Sequence, residues 1–336
     1  MNQILIYFSL ILLFFSSCTS VDRTDKDFDR APDKSIIQEM ESELQLLEGE
    51  IILLKDHFEF LLGNRDSILL SAHKDKYNFD EGFSTNTPRD SGILSSVVIF
   101  RNTPDYDRSL ENVLVTNPMD SLFHRVINKY DMIAQVYFNT VDQVSRVYPP
   151  YDAKALLDPS IDVTKFNFFY EANEENNPGK GPKWTKEVYI DPAGRGWILS
   201  LIHPVFDGDV LYSVLGIDIT IDTIITRYLE KRAGNYLIVN SKGDIVGGDA
   251  AAIEALSFPP LLNHVYRETI RADNFRISDF NLFNSKNKEV RSMAQAFLLQ
   301  RKSHFVFKDD FSPKDAYAAP LNLLDWYLIR INPRGR

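Results

Sequence analysis

The sequence predicts an α+β protein: one long N-terminal helix followed by two lobes, each built on an antiparallel sheet. Three observations predict it. Apolar residues recur at three- and four-residue steps from Ile36 to Leu62, the spacing of one helix face. Three strand-like stretches, "TKEVYI", "GWILSLIHPVF" and "VLYSVLGIDITI", are joined by "DPAGR" and "DGD", which is turn chemistry. A second strand, turn and strand, "NYLIVNSKGDIVGG", opens a further β-containing unit at residue 235. The chain has 336 residues, of which 44% are hydrophobic, enough for a packed core in one large domain or two ordinary ones.

The elements follow in order. "MNQILIYFSLILLFFSSC" opens the chain, and its apolar run from Ile4 to Phe15 is shorter than the ~20 residues that span a bilayer. Its length suits a signal-peptide core, although "MNQ" carries no Lys or Arg. Ser16 and Ser17 stand directly before Cys18, the only cysteine. This resembles a bacterial lipoprotein signal, with Phe15 where Leu is usual. The resemblance implies removal of residues 1–17 and lipidation of Cys18, hence an extracytoplasmic protein held on a bacterial membrane. An uncleaved anchor or a free thiol is the alternative. Thr19 and Ser20 do not resemble an Asp-type inner-membrane retention signal, which favours the outer membrane. With a single cysteine there is no internal disulfide, so stability rests on packing.

Residues 18–34 are polar and charged and read as a flexible tether. The helix is expected over 35–68, packing on its own domain rather than serving as a coiled-coil seam, since its heptad pattern is not strict. A first lobe is expected over 69–231, with strands "ILSSVVIF" and "IAQVYFNT", an intervening helix "MDSLFHRVINKYD", and the meander described above. A second lobe, 232–336, contains a helical stretch "LLNHVYRETIRAD" and closing strands "SHFVFKDD" and "WYLIRI". The sequence ends at "LIRINPRGR", so any signalling or transport is expected to run through a partner such as a receptor or transporter.

Several function classes are disfavoured. A net charge of −10 argues against nucleic-acid binding, which needs a clustered basic surface. Metalloprotease, hydrolase-elbow, Walker and CxxC motifs are absent, so no enzyme activity and no cofactor is expected. The six histidines are scattered without metal-ligand spacing, so no metal is expected either. In "YIDPAGRGW" (189–197) the "GRG" precedes a strand, whereas a phosphate loop precedes a helix. Asp191 there reads as a turn cap.

The chemistry concentrates elsewhere. Phe166, Phe168, Phe169, Tyr170, Trp184, Tyr189 and Trp197 crowd a segment that otherwise has loop composition. In "VLYSVLGIDITI", Tyr212, Val214, Gly216, Asp218 and Thr220 share one strand face and Leu211, Ser213, Leu215, Ile217, Ile219 and Ile221 the other. Asp218 thus lies inside an apolar strand, where an unpaired carboxylate is costly. Its partner is either an internal donor or a ligand ammonium.

The stretch from Trp184–Thr185 through Tyr189 and Asp191, then Ser200, Pro204 and Val205, then Gly216–Ile217–Asp218, resembles the double Cache sensor domains of bacterial receptors. "QVYFNTVDQVSRVYPPYD", the long helix and "YLIVNSKGDIV" fit the same frame, so the resemblance covers roughly residues 35 to 331. It implies two PAS-like lobes on a shared helix, the membrane-distal one (69–231) holding a small molecule and the membrane-proximal one often empty. In amino-acid-binding members a Tyr and an Asp hold the ligand ammonium, and Tyr189 and Asp218 stand at those positions. Phe168, Phe169, Tyr170 and Trp184 would wall the pocket. Those members also carry an Arg that grips the ligand carboxylate. Here the corresponding stretch is "FNFFYEA", with Phe166 or Asn167 in its place and Lys165 as a less specific substitute. The expected ligand is therefore an amine or amino-acid-like metabolite. The alternative is a ligand-free interaction module whose long helix binds a membrane partner.

Overall fold

The computed structural model describes residues 34–86, 92–258 and 280–334. The signal stretch, Cys18, nearly all of the expected tether and the stretch "LLNHVYRETIRAD" lie outside the described residues.

Helix α1 (Lys34–Gly63) runs thirty residues, and its inner stripe of Ile36, Met40, Leu44, Leu47, Ile51, Leu54 and Phe58 is buried. The helix expected over 35–68 is not continuous. It stops at Gly63, and Asn64 turns its side-chain amide back onto the Phe60 carbonyl at 2.8 Å. The same carbonyl also accepts the Asn64 backbone N–H at 3.1 Å, so Asn64 closes the last turn with both its groups. A short helix α2 (Arg65–Ser71) follows.

The first sheet is antiparallel throughout and has nine strands: β1 (Phe79–Asp80), β2 (Phe83–Ser84), β3 (Ser96–Ile99), β4 (Gln135–Thr140), β5 (Val144–Tyr148), β6 (Lys183–Trp184), β7 (Tyr189–Ile190), β8 (Trp197–Asp207) and β9 (Val210–Thr220). Their order is β1-β2-β3-β5-β4-β9-β8-β6, with β7 also paired to β8. Helices α3 (Tyr106–Val115) and α4 (Met119–Lys129) connect β3 to β4. Short helices α5 (Ala153–Leu156) and α6 (Asn167–Tyr170) lie between β5 and β6. Helix α7 (Ile221–Tyr228), capped by the Thr220 hydroxyl, leads out of β9.

The second sheet has five antiparallel strands: β10 (Asn235–Asn240), β11 (Ile245–Gly248), β12 (His304–Val306), β13 (Asp315–Pro320) and β14 (Trp326–Asn332), in the order β11-β10-β14-β13-β12. Helices α8 (Ala250–Ala255) and α9 (Lys288–Ala294) cover it. One long helix and two antiparallel sheets make the α+β, two-lobed layout expected above.

Helix α1 ties the lobes together. Its apolar stripe packs on one face of the first sheet, against Val136, Phe138, Leu201, Leu215 and Ile217. Its acids then reach out on both sides. Glu43 accepts from Arg227 Nε at 2.7 Å and from Tyr228 Oη at 2.5 Å, and Glu41 accepts the backbone N–H of Leu323 in the second lobe at 3.0 Å. Lys242, on the β10–β11 turn, pairs with Glu187 of the first lobe.

The strand alternation expected along β9 holds where the site is built. Leu215, Ile217 and Ile219 join the core under α1, while Val214 belongs to the cluster on the opposite face. It breaks at Tyr212, whose ring meets Phe58 of α1 edge-on at 6.0 Å. A bulge shifts the β8–β9 register between Val205 and Phe206, and an extra residue reverses the faces beyond it.

Candidate ligand cavity

The face of the first sheet away from α1 is concave, and α5, α6 and the loops around them close over it. Between them lies a cavity of about 50 Å³. The end away from Gln135 is mainly apolar, lined by Phe100, Val147, Tyr151, Leu157, Ile161, Val163, Phe166 and Phe168, with Asn139 and Ser145 as its polar groups. The other end is polar, lined by Gln135, Tyr137, Tyr189, Asp191 and Asp218.

Strand register assembles the polar end. Asp218 on β9 lies directly between Gln135 on β4 and Ser200 on β8. Ser200 Oγ donates to Asp218 Oδ1 at 2.5 Å, and Gln135 Nε2 donates to Oδ2 at 2.6 Å. Tyr189 and Ser200 hydroxyls are 2.6 Å apart. Since the Ser200 proton goes to Asp218, Tyr189 donates to Ser200, giving a relay from phenol to carboxylate.

The turn after β7 brings a second carboxylate. Asp191 caps it, accepting from the Ala193 N–H at 3.0 Å and the Arg195 N–H at 3.1 Å. Gly194 and Gly196 have φ of 86° and 94°, which the turn needs and which glycine adopts without a Cβ clash. The capping oxygen of Asp191 also accepts from Gln135 Nε2 at 3.2 Å. One amide group therefore bridges Asp191 and Asp218. Burial and the neighbouring Asp191 charge push the Asp218 carboxyl up to about 8, against the opposing effect of its hydrogen bonds and Arg195. Burial also raises Asp191.

Tyr137 completes this end. Its ring lies flat across Gly216, its direct partner on β9, and a Cβ at Gly216 would sit 2.1 Å from a ring carbon. The residue is buried, and its hydroxyl sits beside those of Ser200 and Tyr189 and close to the Asp218 carboxylate. Burial pushes both phenols, Tyr137 and Tyr189, well above their usual range, so both stay neutral.

The structure brings together three of the six pocket residues expected from sequence. Phe168, Tyr189 and Asp218 line the cavity, with the Phe168 ring stacked on Phe166 at 5.1 Å and tilted against Tyr189 at 6.0 Å. The other three lie elsewhere. Phe169 is buried in the same apolar cluster but does not reach the cavity. Tyr170 is 45% exposed and lines a second cavity of about 340 Å³, together with Glu171, Lys186 and Glu187. Trp184 points the opposite way: it packs into the α1 core and donates its indole N–H to Glu48 at 3.1 Å. Its place on β6, one residue out of phase with Lys183, sends the ring through the helix face of the sheet. Lys165 is turned outward at 80% exposure, beside Asp162. Among the described lining residues there is no Arg, Lys or His.

Sequence reading missed Gln135, Tyr137, Asp191 as a site residue, Arg195 and Ser200. The usable signal was a polar residue inside an apolar strand. Gln135 in "IAQVYFNT" and Ser200 in "GWILSLIHPVF" show it as clearly as Asp218 does.

No protein-family model and no curated protein matches the chain. Among solved structures, the periplasmic sensory domain of the Campylobacter jejuni chemoreceptor Tlp1 is similar at 13% identity and a TM-score of 0.46, covering 89% of this chain and 93% of that one. The ligand-binding domain of the Pseudomonas aeruginosa amino acid chemoreceptor PctB, in complex with L-Gln, is similar at 14% identity and a TM-score of 0.43, covering 65% and 75%. That of the Pseudomonas fluorescens chemoreceptor CtaA, in complex with L-isoleucine, stands at 17% and 0.41, covering 68% and 81%. Similarity at this level says nothing about which ligand this chain takes.

Proposed function

We propose that the chain is an extracytoplasmic, lipid-anchored sensor-type protein that binds a small primary amine in the first-lobe cavity. The observation that carries this reading is the polar end itself. A buried Asp218 carboxylate and the Tyr137 and Tyr189 hydroxyls face one small space, and all accept hydrogen bonds from an ammonium. The Phe166–Phe168 wall adds cation–π attraction and encloses an apolar body.

The same lining disfavours an α-amino acid. A ligand carboxylate would find no Arg, Lys or His among the lining residues to grip it, with Asn139 and Ser145 as the neutral donors at that end. A cavity of about 50 Å³ favours a short aliphatic amine. Calorimetric titration with 2-methylpropan-1-amine and with L-valine, the same side chain plus a carboxylate, tests the reading. The amine is expected to bind and L-valine to bind at least about tenfold more weakly. Stronger binding of L-valine overturns the reading.

The interaction-module reading is favoured by a different observation. Leu46, Leu53 and Phe60 stand seven residues apart on the outer face of α1 and are 57%, 60% and 61% exposed. Replacing all three with Ser leaves the cavity intact. Loss of membrane-partner crosslinking with unchanged amine binding supports a docking role for this face alongside ligand binding.

A further inference from the structure

The polar end carries two carboxylates but one guanidinium, and the guanidinium does not line the cavity. Arg195 lies behind the wall. Its Nε donates to Gln135 Oε1 at 2.7 Å and its Nη2 donates to the Pro149 carbonyl at 3.0 Å. Its backbone N–H holds Asp191. The charge and the geometry of the pair are therefore fixed by one residue. Arg195 orients the Gln135 amide so that its nitrogen faces both Asp191 and Asp218, and it places one positive charge against two negative ones.

We propose that Arg195 is the specificity-determining residue that sets the site to accept a single positive charge. This rests on the amine reading above. With both carboxylates ionised, the cluster of Asp191, Asp218 and Arg195 has a net charge of minus one, which one ammonium neutralises. Without the guanidinium the deficit is two. The carboxylates sit on either side of one amide nitrogen, at 3.2 and 2.6 Å, so a three-carbon diammonium can span them. In the wild type the second ammonium of such a ligand is repelled by Arg195 and brings a positive charge that the cluster does not neutralise, and a buried uncompensated charge is strongly disfavoured.

The test compares propan-1-amine with propane-1,3-diamine by calorimetry on the full chain. The wild type is expected to prefer the monoamine by about tenfold or more. Arg195→Gln is expected to abolish or invert that preference, and Arg195→Lys, which keeps the charge, to retain it. Gln135→Glu adds a negative charge while leaving Arg195 in place. It is expected to move the preference in the same direction as Arg195→Gln, and it decides the matter if Arg195→Gln does not fold. A wild-type preference ratio in a folded Arg195→Gln protein overturns the proposal while leaving the amine reading standing. Binding of neither amine to the wild type overturns the amine reading, and this inference with it.

Discussion

The first lobe contains two buried polar clusters on opposite faces of one sheet, each with an Arg and an Asp at its centre. On the α3–α4 side, Arg146 is fully buried and donates to Asp120 at 2.6 Å, with further bonds to Tyr77 and the Val113 carbonyl. Ser95 at 2.6 Å and Lys76 at 2.9 Å complete the Asp120 shell. Burial would raise the Asp120 carboxyl, but Arg146 and Lys76 outweigh it and hold it below its usual value. On the cavity side the balance fails. Two carboxylates share Gln135, Arg195 stands one bond further back, and the Asp218 carboxyl rises instead. Two strand neighbours point to the two sides: Ser145 lines neither core nor ion pair but the cavity, and Arg146 the closed cluster. A closed cluster holds a fold together. An open one, with a carboxyl above its normal range facing a cavity, has free energy to gain from a ligand.

Perturbing the closed cluster has the largest expected effect. Arg146→Met strands a buried carboxylate, and urea unfolding should show a loss of about 3–5 kcal/mol. A loss below about 1 kcal/mol would mean that the two clusters do not differ in kind.

The open cluster should respond in binding before stability. Asp218→Asn is expected to weaken propan-1-amine binding by at least about tenfold in calorimetry, while the protein stays folded. It should also change the response to pH. A carboxyl raised in the folded state contributes stability that is complete below its unfolded value of about 3.9 and is lost as pH rises through about 8. Asp120 runs the other way: its contribution is present above that unfolded value and is lost as pH falls below it. Besides Asp191, the groups facing Asp218 are Tyr137, Tyr189 and Arg195, which keep their charge state across this window. Melting temperature should therefore fall between pH 5 and 8.5 in the wild type and fall less in Asp218→Asn.

Tyr137→Phe removes the hydroxyl beside Ser200 and Tyr189. Melting should show ligand-free stability within about 1 kcal/mol of the wild type, with weaker amine binding. The smallest expected effect separates the two faces again. Trp184→Phe loses the bond to Glu48 and costs about 1 kcal/mol, with amine affinity unchanged because the ring is on the α1 side. A changed affinity would place Trp184 back among the cavity residues.

Much of this fold was legible because period and punctuation are local. The α1 stripe, the turns at "DPAGR" and "DGD", and the alternation along β9 each follow from residues within a few positions. The Gly63–Asn64 break and the β8–β9 bulge were less legible, since a side-chain cap and a register shift leave little trace in hydrophobic period. The candidate site was half legible. Asp218 announced itself as an acid in an apolar strand, and Tyr189 and Phe168 through their resemblance. Gln135 and Ser200 become site residues only through register, which sets them opposite Asp218 from positions 83 and 18 residues away. Arg195 read as part of a turn, and its side-chain partners lie 60 and 46 residues off. Trp184 was misplaced because aromatic density does not say which face of a sheet a ring takes.

The most direct test of the central claim is the number of protons released when propan-1-amine binds at pH 7. It is obtained by titrating the wild type in buffers of different ionisation heat. If the Asp218 end is the ammonium site, the pair holds a proton when empty and gives it up to the arriving cation. Close to one proton should then be released, and Asp218→Asn should release none. Binding that releases no proton from the wild type would contradict the account.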